Sequence, residues 1–290
     1  MINNLVLQSK FFILVSLLFT TSIKSQQINS IGDMKTAGYA PVNGLKMYYE
    51  IHGDGAMPLV LIHGGGSTIE TSFGNILPLL SAEEKVIALE LQAHGRTNDR
   101  NAPESYEQDA DDVAALLAFL KITKANFLGF SNGGTTTLQI AIRHPNLVNK
   151  IVVVSANYKR EGMVPGFFDR MKNATLADMP TPLKEAYLKV APDKNRLDTM
   201  FEKDRYRMFT FKDISDDDLR SIQAPALLMV GDHDVVLPEH TLKMSHLIPH
   251  SELAVLPGTH GSFIGEICTA EKGSRLTEMS AVLIGEFLKK

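Results

Sequence analysis

Short, nearly continuous apolar runs recur along the chain, and helical patterns separate them. Pro58-Leu59-Val60-Leu61-Ile62, Val86 to Leu91, Ala125 to Leu128, Lys150 to Ser155, Ala226 to Val230 and Leu253 to Leu256 each read as a strand. Runs of this kind are expected where both faces of a strand are covered, as in a parallel sheet. Between them, Ser72 to Leu80 (despite Pro78), Ser105 to Ile122, Thr135 to His144 and Glu239 to Leu247 carry helical spacing, and Arg275 to Leu288 closes the chain the same way. Strict alternation over residues 58–157 predicts a mostly parallel, doubly wound α/β sheet with helices on both faces. Ahead of it, Met34 to Gly53 predicts a hairpin turned at Asn43-Gly44.

The rhythm breaks after residue 157. From Tyr158 to about Gln223 there are helical pieces and prolines at 165, 180, 182 and 192, with no clear strand. A structureless loop of that length is implausible inside a compact domain. The stretch is therefore expected to be a helical cap, inserted at about 158–223 over the carboxyl edge of the sheet.

The residues that follow the strands carry the chemistry. Gly129-Phe130-Ser131-Asn132-Gly133 joins a strand to a helix. That context lifts the serine onto a sharp turn at the head of a helix. Backbone N–H groups and the positive end of the helix dipole then lie beside it. A serine hydroxyl is a weak nucleophile without a general base, so a histidine, an acid and an oxyanion hole are expected elsewhere. His63-Gly64-Gly65-Gly66 follows a buried strand, where backbone N–H groups can face a ligand at the carboxyl edge.

Composition narrows the setting. Lys10 precedes the apolar run Phe11 to Phe19, which is too short to span a bilayer, and small residues follow. Residues 1–25 are thus expected to be an export signal, leaving a domain over 26–290 that is periplasmic or secreted. Removing them takes away Lys10 and Lys24 and no acid, which moves the formal charge from −4 to −6. A mildly acidic chain argues against a nucleic-acid partner, and no later run is long enough for stable membrane insertion. Cys268 is the single cysteine, so neither an intrachain disulfide nor a thiolate metal site is available.

Taken together, these motifs resemble the α/β-hydrolase fold family, over nearly all of residues 40–290. The likeness rests on His63-Gly64-Gly65, Gly129-Phe130-Ser131-Asn132-Gly133, Gly231-Asp232-His233-Asp234 and Gly258-Thr259-His260, each at a strand end and in the family's order of serine, acid, histidine. Glu90 to Thr97 also looks like the family's Asp-x-x-Gly-x-Gly-x-Ser loop, with Glu90, Ala93 and Thr97 as departures. The resemblance implies Ser131 as nucleophile. Of the nine histidines, His260 alone follows the last strand on a glycine-flanked loop, and it is the expected base. The acid is Asp234 or Asp232. The resemblance implies Asp234, the fourth residue of the Gly-x-x-Asp turn, with Asp232 expected to bond its own turn. The oxyanion hole would use the N–H groups of Gly65 and Asn132, with Gly66 as a reserve.

The expected activity is serine-dependent hydrolysis of a carboxylic ester or lactone through an acyl-enzyme, without metal or cofactor. Phe167, Phe168, Met171 and Met208 in the expected cap suit a bulky apolar substrate, such as an aryl ester or a large-ring lactone. Peptidase, carbon–carbon hydrolase and perhydrolase chemistry also occur on this fold, and a binding protein that kept the fold is an alternative.

Overall fold

The computed structural model describes residues 34–290. The export signal expected over residues 1–25 lies outside the described residues. Eight strands form one sheet: β1 (Met34–Val42), β2 (Leu45–His52), β3 (Leu59–Ile62), β4 (Val86–Leu89), β5 (Ala125–Phe130), β6 (Val148–Val154), β7 (Ala226–Gly231) and β8 (Ser251–Leu256), in the order β1-β2-β4-β3-β5-β6-β7-β8. β1, β2 and β4 pair antiparallel, and every pair from β4 to β8 is parallel. The first hairpin turns at Asn43 (φ 44°) and Gly44 (φ 84°), the two positive φ values of a type I′ turn.

The inner strands β3, β4, β5 and β7 are buried along their whole length. Alternate residues feed two cores, one on each face. Val60, Ile62, Phe127, Ile151 and Val153 serve one. Leu59, Leu61, Leu128, Val152 and Val154 serve the other. The helices are α1 (Ile69–Phe73), α2 (Leu77–Ser81), α3 (Tyr106–Phe119), α4 (Asn132–Arg143), α5 (Phe167–Asn173), α6 (Thr181–Val190), α7 (Leu197–Phe209), α8 (Asp216–Ser221), α9 (Pro238–Leu247) and α10 (Leu276–Lys289).

Two expectations need correction. The helix expected over 72–80 is two short helices. α1 opens on a Thr68 capping box and stops at Gly74, and α2 restarts with Pro78 in its first turn, where a missing N–H is harmless. The acids of α3 do more than face a helix dipole. Asp112 pairs with Arg100 at 2.5 Å, and Asp109 is buried against Arg207.

Between β6 and β7 the chain forms α5, α6, α7, α8 and single 3₁₀ turns, with no strand among the described residues there beyond one bridge, Met163 to Val236. Met179, Leu183, Tyr187, Leu197 and Met200 pack with Ala93 into a small core that ties this segment to the loop after β4.

Candidate active site

The turn after β5 is strained. Ser131 has φ 54° and ψ −120°, and its N–H is held by the carbonyl of Val154 at 2.9 Å. Such a backbone costs on the order of 1–3 kcal/mol and persists only where its surroundings enforce it. Glycines make it feasible. A Cβ on Gly129 would come 2.0 Å from the carbonyl oxygen of Gly133, and one on Gly133 would come 2.0 Å from that of Ile62. No larger residue lets α4 approach β5 and β3 so closely.

Loops after β7 and β8 bring the other groups to Ser131. His260 Nε2 lies 3.0 Å from Ser131 Oγ, and His260 Nδ1 lies 2.7 Å from Asp234 Oδ1. Asp234 Oδ1 also accepts the N–H of Val236 at 3.0 Å. Its Oδ2 accepts the Ser155 hydroxyl at 2.6 Å and, more weakly, the N–H of Gly231 at 3.4 Å. Burial alone would push this carboxyl up; the imidazole beside it and these donors outweigh burial and hold it below its ordinary 3.8. Asp234 is therefore the ionised partner that His260 Nδ1–H faces. Asp232 turns elsewhere. It accepts the N–H of Gly258 at 2.8 Å, faces His233 and is bonded to its own backbone, so it ties its own turn to the β8 loop.

Next to Ser131 lie the backbone donors. Among the described residues no protein acceptor takes the N–H of Gly65 or of Asn132. Gly66 is different, because its N–H donates to His94 Nε2 at 3.2 Å, which removes it as a reserve donor. Two buried histidines fix this loop. His63 Nε2 accepts the N–H of Leu91 at 3.0 Å and its Nδ1 donates to the carbonyl of Gly64 at 2.7 Å. His94 Nδ1 donates to the carbonyl of Gln92 at 2.8 Å. Burial depresses both imidazoles, so both stay neutral.

A cavity of about 330 Å³ opens over Ser131 and His260. Phe167, Phe168, Met171 and Met208 all line it, together with Gly65 and Asn132. Tyr106, Met163, Pro180, Phe211, Val235 and Val236 add to its apolar wall. Its size and lining suit a small-molecule ligand.

A family model for the alpha/beta hydrolase fold matches residues 57–209. The chain belongs to the α/β-hydrolase fold family. Within it, the dihydrolipoyllysine-residue acetyltransferase component of the acetoin cleaving system of Pseudomonas putida is 30% identical over 234 residues, covering 75% of this chain; the chain spans 62% of that relative's length. The human serine hydrolase BPHL is 28% identical over 244 residues, with 80% of this chain and 82% of the relative covered. In structure, the enol-lactonase from Burkholderia xenovorans LB400 superposes with a TM-score of 0.69 over 87% of this chain and all of its own, at 22% identity, a likeness of fold. Among the described residues no helix is long and apolar enough to cross a membrane.

This α/β-hydrolase also carries site residues that sequence reading missed. Ser155 (φ 51°) follows β6 and donates to Asp234. The side chain of Asn132 is gripped from two sides: its Oδ1 accepts the Tyr106 hydroxyl at 2.8 Å, and its Nδ2 donates to Asp204 Oδ1 at 3.0 Å. Asp204 comes from α7, and its other oxygen lies 2.5 Å from where a Cβ on Gly65 would stand. Arg207, one turn on, binds both Asp204 and Asp109 of α3 and lies 3.8 Å from Glu104. The side chains of all four are at least 95% buried. Burial pushes Asp109 up to about 6, against the pull of Arg207, and raises Glu104 as well.

Arg207→Met is expected to remove the one cation of this cluster and leave its carboxylates buried without compensation, at a cost of about 3–5 kcal/mol. Denaturant unfolding by circular dichroism measures it. An acid whose folded pKa is raised binds more protons folded than unfolded, so stability falls as pH rises from its ordinary 3.8 through about 6. Without Arg207 that window extends upward, so the deficit should be larger at pH 8 than at pH 5. An equal deficit at both would show that lost packing, not charge, is responsible.

Proposed function

We propose that the protein is a serine-dependent hydrolase of carboxylic esters or lactones that works through an acyl-enzyme, with bulky, largely apolar substrates. The observation that carries the reading is the continuous chain from Asp234 Oδ1 to His260 Nδ1 at 2.7 Å and from His260 Nε2 to Ser131 Oγ at 3.0 Å, at the floor of an apolar cavity. The human relative named a serine hydrolase supports it, and so does a fold shared with an enol-lactonase.

In the proposed reaction, Ser131 Oγ attacks the acyl carbon as His260 Nε2 takes its proton. Asp234 holds the imidazole tautomer and stabilises the imidazolium that forms. The carbonyl oxygen, now an oxyanion, faces the N–H groups of Gly65 and Asn132. A donor of this type contributes about 3–4 kcal/mol to the transition state. The C–O bond to the alcohol breaks, and His260 returns the proton to the departing oxygen. Water then attacks the acyl-Ser131 ester with His260 as base, releasing the acid and restoring the serine.

A fluorophosphonate probe is expected to leave a single adduct on the peptide containing Ser131 in the native protein and none after denaturation, read by mass spectrometry. A panel of p-nitrophenyl esters, small lactones and macrocyclic lactones should then give product from the bulkier apolar members. No adduct on Ser131 would overturn the hydrolase reading; cleavage confined to small polar esters would overturn the apolar substrate class.

A further inference from the structure

A second compartment of about 140 Å³ adjoins the cavity over Ser131. It shares Gly65, Met171, Pro180 and Met208 with the cavity over the serine. Beyond those shared residues, Met179, Leu183, Met200, Phe201 and Ala174 line it. Met171 and Met208 line both compartments. Methionine is unbranched and adaptable, so this shared lining can adjust to a chain passing through.

Three charged residues also line the compartment, and each is already engaged. Asp204 is bound to Asn132 and Arg207. Asp178 accepts the N–H and hydroxyl of Thr175, both at 2.8 Å. The Arg205 guanidinium is held by Glu202 at 2.6 Å and by the carbonyl of Lys172 at 2.8 Å. The buried side-chain atoms that lack a partner, such as those of Glu104 and Gln92, belong to residues outside this compartment. The single cation of the lining, Arg205, is held by Glu202 and the Lys172 carbonyl, so an anionic ligand meets two carboxylates and no unengaged cation, whereas a hydrocarbon finds a wall of methionine, leucine and phenylalanine.

We propose that this compartment is an aliphatic subsite that receives the end of an unbranched hydrocarbon chain on the substrate. An apolar cavity of about 150 Å³ accepts a six-carbon hydrocarbon, so a chain of about eight carbons, running from the ester carbon past Met171 and Met208, fills it. The inference rests on the reading of Ser131 as the nucleophile only for the direction from which the chain enters.

Two experiments on the full chain separate the subsite from the chemistry. The first is calorimetric titration of octanoate and acetate into Ser131→Ala, alone and combined with Ala174→Leu or Leu183→Phe. Both second substitutions fill the compartment from walls that the serine cavity does not share. Octanoate is expected to bind Ser131→Ala at least tenfold more tightly than either filled variant, with acetate unchanged. In the second, hydrolysis of p-nitrophenyl esters by the parent should rise roughly fourfold per methylene from butyrate to octanoate, and filling should abolish that rise while sparing the acetate ester. Octanoate binding that is equal in all variants overturns the subsite, whatever the esters do. Octanoate binding that is lost on filling, with no Ser131-dependent turnover of any ester, upholds the subsite and overturns the hydrolase reading.

Discussion

Ester turnover is expected to fall by about a million-fold when Ser131 is replaced by alanine, as when the serine of such a unit is removed elsewhere. The hydroxyl is the atom that becomes covalently bound to the acyl group, and no other hydroxyl stands at hydrogen-bond distance from His260 Nε2 among the described residues. The remaining rate should still exceed that of water, because the N–H groups of Gly65 and Asn132 are backbone and survive the change. Alanine takes the same strained φ of 54° with no new atom, so the fold should be kept, and circular dichroism melting checks this. Initial rates on the best ester of the panel measure the loss. A fall of less than tenfold in a folded variant would mean that hydrolysis does not pass through Ser131.

Asp234→Asn is expected to cost about 10⁴ in kcat. The native carboxylate is surrounded by donors alone: His260 Nδ1–H, the N–H of Val236 and of Gly231, and the Ser155 hydroxyl. A carboxamide has two hydrogens and one oxygen, so it satisfies only part of that ring. If its NH₂ faces His260, the imidazole must accept at Nδ1, and Nε2 then carries a proton and cannot take one from Ser131. If its oxygen faces His260, the NH₂ opposes the N–H of Gly231 and the Ser155 hydroxyl must turn round. Either way the negative charge that stabilises the imidazolium is gone. Because Asp234 is held below its ordinary 3.8, it is ionised across the neutral range, and an acid limb of the parent's pH profile above about pH 4 does not report its titration. The loss should appear in kcat with KM little changed, since Asp234 does not line the cavity. A drop of tenfold or less would assign the orienting role to another group.

The sheet and the Ser131, Asp234 and His260 loops were legible because their signals are local. A strand covered on both faces shows as an unbroken apolar run, and a tight turn shows as glycine at fixed offsets. The groups that hold Asn132 have no local signal. Asp204 lies 72 residues from Asn132, and Arg207 lies 98 from Asp109. Asp109, near the start of a helix, looks like any acid favoured by the helix dipole, and only the tertiary fold makes it half of a buried ion pair. Ser155 is equally silent, a polar residue just past an apolar strand. The apolar spacing over 72–80 reads as one helix because it runs across a break that Gly74 and Pro78 impose on the backbone. The reserve role given to Gly66 failed for a similar reason, since its acceptor, His94, belongs to a loop 28 residues away.

Asp204 has a consequence for how this chain can change over time. The helical segment between β6 and β7 is stitched to the rest by buried charge at the very place where two backbone donors sit, through Asn132 and Gly65 on one side and Asp109 on the other. Such a segment is not an interchangeable cassette. A lineage that replaces α7 wholesale must in the same step accommodate Tyr106, Asp109 and Glu104 in the domain beneath, or strand their charges. New substrate ranges should accordingly be reached residue by residue, at wall positions such as Ala174 and Leu183 that bear no charge, while the Asp204–Arg207 turn is inherited as a unit.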